Sequence, residues 1–139
     1  MNGFSARLGQ QRFSAGTTCR EAASKGSTSM NNREKIDAFV EECMAESKVD
    51  YVGLWQIAQT VREEFGSPSA IEIRNLSLEI VARLYERGLR PGDYWGGDFA
   101  YWPDEGCRVA LDRIEREWIV AGADPNLAEP ICWFAPRPE

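Results

Sequence analysis

The sequence predicts an α+β, mostly helical fold: a winged-helix-like single domain with four helices and a small antiparallel sheet. Three observations carry that expectation. Three stretches with helical spacing each stop at a glycine, at Gly66, Gly88 and Gly122, the residue that most readily takes the left-handed conformation closing a helix. Between the second and third lies an aromatic hairpin candidate, Asp93 to Trp102, folded about Gly96-Gly97. Near the end, Ile131-Cys132-Trp133-Phe134 is short, apolar and flanked by prolines, as a closing strand would be.

With 139 residues the chain can build one core and a tail. Residues 1–32 read as a disordered leader, rich in Ser, Thr, Gly and Arg, poor in acids and without a sustained apolar period. That composition suits a transit peptide or a misassigned start with the chain beginning at Met30. The self-sufficiency of the remainder favours the misassigned start. The domain should then occupy residues 33–136, with 137–139 a tail.

The first helix is expected over about 34–47, capped by Asn31 with Glu34 as its reciprocal partner. Ile36, Phe39, Val40, Cys43 and Met44 share one stripe. Asp50 is a candidate cap for a second helix over about 52–65, which buries Leu54, Ile57, Ala58, Val61 and Phe65. The third, over about 70–87, opens on Ser69 with Glu72, the spacing of a capping box, or on Ser67-Pro68. A break near Asn75-Leu76-Ser77 would make it a helix-turn-helix, but periodicity does not require one. In the hairpin, a two-residue Gly-Gly loop sets Trp95 against Asp98, Tyr94 against Phe99 and Asp93 against Ala100. Tyr94, Phe99 and Tyr101 then share one face, Trp95 and Trp102 the other. The last helix, about 104–121, carries Cys107, Leu111, Ile114, Trp118 and Ala121 at intervals of four, three, four and three. The segment 131–134 is expected to add to the hairpin, with Pro130 at its start and Pro136 ending it.

Residues 52–134 resemble a group of small uncharacterised bacterial proteins with a winged-helix-like outline. The resemblance is carried by Leu54-Trp55, Val61-Arg62-Glu63-Glu64-Phe65, Arg113-Ile114-Glu115-Arg116-Glu117-Trp118, Asp124-Pro125-Asn126-Leu127 and Ile131-Cys132-Trp133-Phe134. It covers about 60% of the chain and implies a fold and a bacterial cytoplasmic origin. It transfers no activity and no binding residue.

Composition narrows function further. No apolar run approaches the roughly 20 residues of a spanning helix, and no secretory signal is present. The chain holds no histidine, which closes Ser-His-Asp and Cys-His nucleophiles, imidazole bases and His-ligated metals. The four cysteines form no CxxC pair, so no zinc site and no other cofactor is indicated. Cys43 and Cys107 read as buried reduced thiols of a cytoplasmic protein. Acidic pairs such as Glu63-Glu64 fall on solvated helix faces, so no catalytic residue is assigned and an enzyme is not expected. Residues 33–139 carry 12 basic and 21 acidic side chains, a balance that repels phosphate backbones and attracts basic partners.

Three functional readings follow. DNA binding would use Arg74, Arg83, Arg87 and Arg90, but Glu72, Glu79 and Glu86 offset them, and from Pro91 to Cys107 the hairpin has no Lys or Arg. An aromatic sugar platform competes with the plainer expectation that tryptophans fill a small core. An acidic protein-interaction domain fits best, with Trp95 and Trp102 as anchors and Asp93 and Asp98 beside them, and a basic protein as partner. A neutraliser of a basic toxin is one concrete form of it. Oligomeric state is not legible.

Overall fold

The computed structural model describes residues 30–138. The leader expectation for residues 1–29 lies outside the described residues, whereas residues 30–32 belong to the first helix. In chain order the elements are α1 (Met30–Glu46), β1 (Val52–Gly53), α2 (Leu54–Glu64), α3 (Ala70–Glu86), β2 (Leu89–Trp95), β3 (Asp98–Tyr101), α4 (Cys107–Ala121) and β4 (Trp133–Pro136). Among the described residues the fold is α+β and mostly helical, with four helices and one four-stranded antiparallel sheet. The succession α1-β1-α2-α3-β2-β3 keeps the winged-helix outline. Beyond it, β4 enters the sheet between β1 and β2, giving the order β1-β4-β2-β3.

Local chemistry explains most boundaries. Ser69 and Glu72 make both bonds of a capping box: Ser69 N–H donates to the Glu72 carboxylate (2.7 Å) and Glu72 N–H to Ser69 Oγ (3.2 Å). From there α3 runs unbroken to Glu86, without a helix-turn-helix break. Two caps differ from expectation. The first helix starts at Met30, which puts Asn31 inside it. The second starts after Gly53, whose N–H donates to Gln56 Oε1 at 2.7 Å, while Asp50 accepts from Tyr51 N–H. Val52 and Gly53 are thereby freed to pair with Phe134 and Trp133 as an edge strand. α4 begins at Cys107, because Asp104 lies in the preceding loop and accepts from Arg90 and Tyr85.

The hairpin has the expected register, Trp95↔Asp98, Tyr94↔Phe99 and Asp93↔Ala100. Gly96 and Gly97 both take positive φ (62° and 87°), the backbone a tight two-residue turn requires. The ladder continues as Trp102 N–H donates to Pro91 O (3.0 Å). β4 pairs with β2 through Leu89↔Pro136 to Gly92↔Trp133, so Pro136 is the last residue of the strand, as expected, while the strand begins at Trp133 rather than beside Pro130.

α3 is the central helix, packed on α1, α2, α4 and β2. One sheet face, with Val52, Leu89, Trp102 and Phe134, closes over Ile36, Leu54, Ile57, Ile80, Leu84 and Ile114, all buried. On α4, Leu111, Ile114 and Trp118 are buried, Cys107 is half-buried and Ala121 is exposed, so the stripe ends one turn early. Cys43 and Cys132 are free and buried. Cys107 is disulfide-bonded, which corrects the expectation of a reduced thiol there. No helix among the described residues is long and apolar enough to cross a membrane.

Candidate functional site

Alternation along β2 and β3 sends their side chains to two environments. On the inward face Trp102 is 8% exposed, with the Arg113 guanidinium of α4 stacked 3.6 Å from its ring centroid. A partner could not reach that ring without displacing α4, so Trp102 serves the core and leaves the exposed set. Trp95, Asp93 and Asp98 share the same face but lie toward the hairpin tip. There Trp95, paired with Asp98 next to the turn, is 69% exposed.

The outward face holds a cluster of rings. Tyr51 lies 4.7 Å from Tyr94 and 4.8 Å from Phe99, centroid to centroid, Phe99 meets Tyr101 edge-on at 4.8 Å, and Tyr94 meets Trp133 at 5.6 Å. These spacings suit the favourable tilted and edge-to-face arrangements of aromatic pairs. Gly92 makes the cluster possible: a Cβ there would come within 2.6 Å of both the Phe99 ring and the Ala100 carbonyl.

Where this cluster meets the hairpin tip, a groove of about 400 Å³ opens between β2 and the loop before β4. Asp93, Tyr94 and Trp95 form one wall, Leu127 and Ile131 the other, and Trp133 joins them. The loop is held by Asn126, whose Oδ1 accepts from the N–H groups of Ala128 (2.9 Å) and Glu129 (3.0 Å). Ile131 sits at the centre of a γ-turn, with Cys132 N–H donating to Pro130 O at 2.7 Å and φ at 67°. A positive φ is uncommon for any residue with a side chain and strained for a β-branched one. Such strain is held only where surrounding structure enforces it, and it concentrates at functional sites. Leu127, 66% exposed, leaves an apolar side chain in water beside it.

Of the four residues singled out from sequence, the groove brings together Trp95 and Asp93. Asp98 faces Trp95 across the turn, and Trp102 is elsewhere. Tyr94, Trp133, Leu127 and Ile131 were missed; the only local signal was an apolar Leu127 following the Asp124-Pro125-Asn126 turn.

The groove offers stacking surface and a carboxylate rather than a reactive centre. The nearest thiol, Cys132, is fully buried, and burial, helped by Glu117 and Asp93, pushes its pKa well up, which makes it a poor nucleophile. Among the described residues no group of three or more Cys, Asp or Glu could hold a metal ion.

Three of the four arginines that DNA binding would need are engaged within the fold. Arg83 pairs with Asp37 and with Glu79 (3.3 Å), and Arg87 with Glu41 (2.6 Å). Arg90, 9% exposed, bonds to Asp104 (3.0 Å) and to the carbonyls of Tyr85 and Leu89, while stacking on the Tyr85 ring. Arg87 holds the Glu41 carboxyl below its usual range. The Tyr85 hydroxyl, and then Arg90, do the same for Asp104, while burial and the Asp104 contact push Tyr85 up to about 12. No family model, curated protein or solved structure matches this chain.

Proposed function

We propose that this chain is a non-enzymatic protein-interaction domain whose groove beside the hairpin receives a basic segment of a partner protein. The observation that carries the reading is Trp95, an exposed indole on the rim of an aromatic groove with a carboxylate on the same wall. A guanidinium or ammonium laid on Trp95 gains a cation–π contact and meets Asp93 at its edge, while Leu127 and Ile131 shelter the stem. The surrounding charge supports the same class of partner, since Asp98 and Glu129 flank the groove in sequence and the hairpin has no cation from Pro91 onward. A toxin-neutralising role is one form this interaction could take. The two buried free thiols, Cys43 and Cys132, fit a cytoplasmic setting and the disulfide at Cys107 an oxidising one; a thiol titration of the denatured protein that finds all four cysteines reduced would favour the first.

The test uses a fluorescent nine-residue peptide alternating Arg with Leu and a counterpart with Glu for Arg. The Arg peptide should bind and the Glu peptide should not. Trp95→Ala should weaken binding about tenfold or more, as a central anchor does, and Asp93→Asn by less. Arg-peptide binding indifferent to both substitutions would overturn the reading. So would salt-sensitive binding of a labelled duplex that Arg83→Ala or Arg87→Ala abolishes.

A further inference from the structure

α4 has a second face that the described residues leave uncovered. Opposite the buried Leu111, Ile114 and Trp118, the residues Val109, Ile119 and Val120 are 46%, 56% and 81% exposed. Val109, Asp112, Arg116 and Ile119 succeed one another at intervals of three, four and three, the spacing of a coiled-coil seam. The seam is apolar at both ends and charged in the middle. Among the described residues neither Asp112 nor Arg116 enters an ion pair. A shallow groove of about 390 Å³, to which Asp112, Arg116, Ile119 and Val120 contribute, runs along this side of the helix.

We propose that α4 is the surface through which two copies of this chain associate, the two helices antiparallel about a twofold axis passing between Asp112 and Arg116. Reversing one helix against the other gives a single register for all four positions. Val109 meets Ile119 of the second copy, Asp112 meets its Arg116, and the symmetry repeats both contacts. A parallel, in-register pair would set Asp112 against Asp112 and Arg116 against Arg116, so charge selects the antiparallel form. The same charge favours a copy over a basic partner: this face carries both signs, whereas the hairpin groove carries only acids. From Val109 to Ile119 is ten residues, or about 15 Å of helix. A seam that short buries less than the roughly 1,200 Å² of a standard interface, so the dimer is weak and concentration-dependent.

Sedimentation of the full chain from about 5 μM to about 1 mM, a range that brackets weak association, tests this. The native chain should shift toward twice its mass. Asp112→Arg and Arg116→Asp should each sediment as monomers, and mixing the two should restore a dimer, because each reversed charge then meets its opposite. The milder Asp112→Asn and Arg116→Gln should raise the dissociation constant at least about fivefold, as loss of a close interfacial ion pair does. A native chain that stays monomeric throughout overturns the proposal. A dimer unaffected by all four substitutions does too, since association would then use another surface, as does failure of the mixed charge variants to dimerise when each keeps its helical spectrum.

Discussion

Trp95 and Trp102 stand seven residues apart on one face of one hairpin, yet the structure gives them opposite work. Truncating Trp102 should unfold the protein; truncating Trp95 should hardly change its stability. A buried tryptophan removes on the order of 200 Å² from water, which at about 25 cal/mol per Å² is about 5 kcal/mol. Measured Trp→Ala losses in cores run at about 3–5 kcal/mol, the cavity included. With 8% exposure Trp102 should lie in that range, and loss of the Arg113 stack adds about 0.5–1 kcal/mol. Trp95 at 69% exposure shelters under a third of its surface, an upper bound of about 1–2 kcal/mol. Because small domains have only about 5–15 kcal/mol in hand, Trp102→Phe supplies a measurable curve where Trp102→Ala does not fold. It should cost less than the alanine change, since it keeps a ring and removes an indole N–H that has no hydrogen-bond partner. Urea unfolding followed by far-UV circular dichroism, which does not depend on the altered indoles, gives the comparison. Equal midpoints for Trp95→Ala and Trp102→Ala would refute the assignment of the two faces.

Further outcomes follow from single contacts. Gly92→Ala forces a methyl to 2.6 Å from the Ala100 carbonyl, so it should cost about 1–3 kcal/mol as overpacking does and lower the thermal midpoint by several degrees. Asp104 has a folded pKa below its ordinary value of 3.8. Its contribution is therefore fully present above that value and lost as pH falls through the lower folded one. The native chain should lose more thermal stability than Asp104→Asn between pH 5 and about pH 2. Trp118→Ala, which empties a buried site and cuts the Nε1 bond to Asp124 (3.2 Å), should cost about 3–5 kcal/mol in a urea titration.

Local chemistry made much of this fold legible, and non-local pairing concealed the rest. The Gly-Gly turn specified its register because two positive-φ positions admit one tight hairpin, and Ser69-Glu72 marked a helix start because both capping bonds span three residues. β1 has two residues and owes its existence to Phe134 and Trp133, some 80 positions later. Nothing near Val52 announces it, so those residues read as helix. β4 was recognisable as a strand but not as a central one, since its flanking prolines suggest an edge. The groove was half legible for the same reason. Trp95 and Asp93 are neighbours in sequence, but the opposite wall comes from residues 127–133, brought there by the β2–β4 pairing and the γ-turn at Ile131.

Charge decides between the two partner classes only when it is read after folding. Counting residues in the third helix leaves Arg74, Arg83, Arg87 and Arg90 roughly balanced by neighbouring acids, which a DNA-binding helix could tolerate if the arginines pointed outward. The fold spends three of them elsewhere: Arg83 and Arg87 tie α3 to Asp37 and Glu41 of α1, and Arg90 ties β2 to the loop before α4. Freeing any one for a phosphate would break a contact between elements and strand a carboxylate. Among the described residues no equivalent ion pair is seen for Asp93 or Asp98, whose carboxylates stand at the hairpin with no cation nearer in sequence than Arg90 and Arg108. Asp93 and Asp98 stand beside the exposed indole of Trp95. An α4 dimer would present two such grooves, so a partner with two basic segments could bind both and gain avidity without a new contact. In the monomeric Arg116→Asp chain, the affinity for a single Arg-Leu peptide should stay unchanged. The affinity for two such peptides on one long flexible linker should fall to nearly that of one, and an equal loss for both ligands would show that α4 acts on the groove itself.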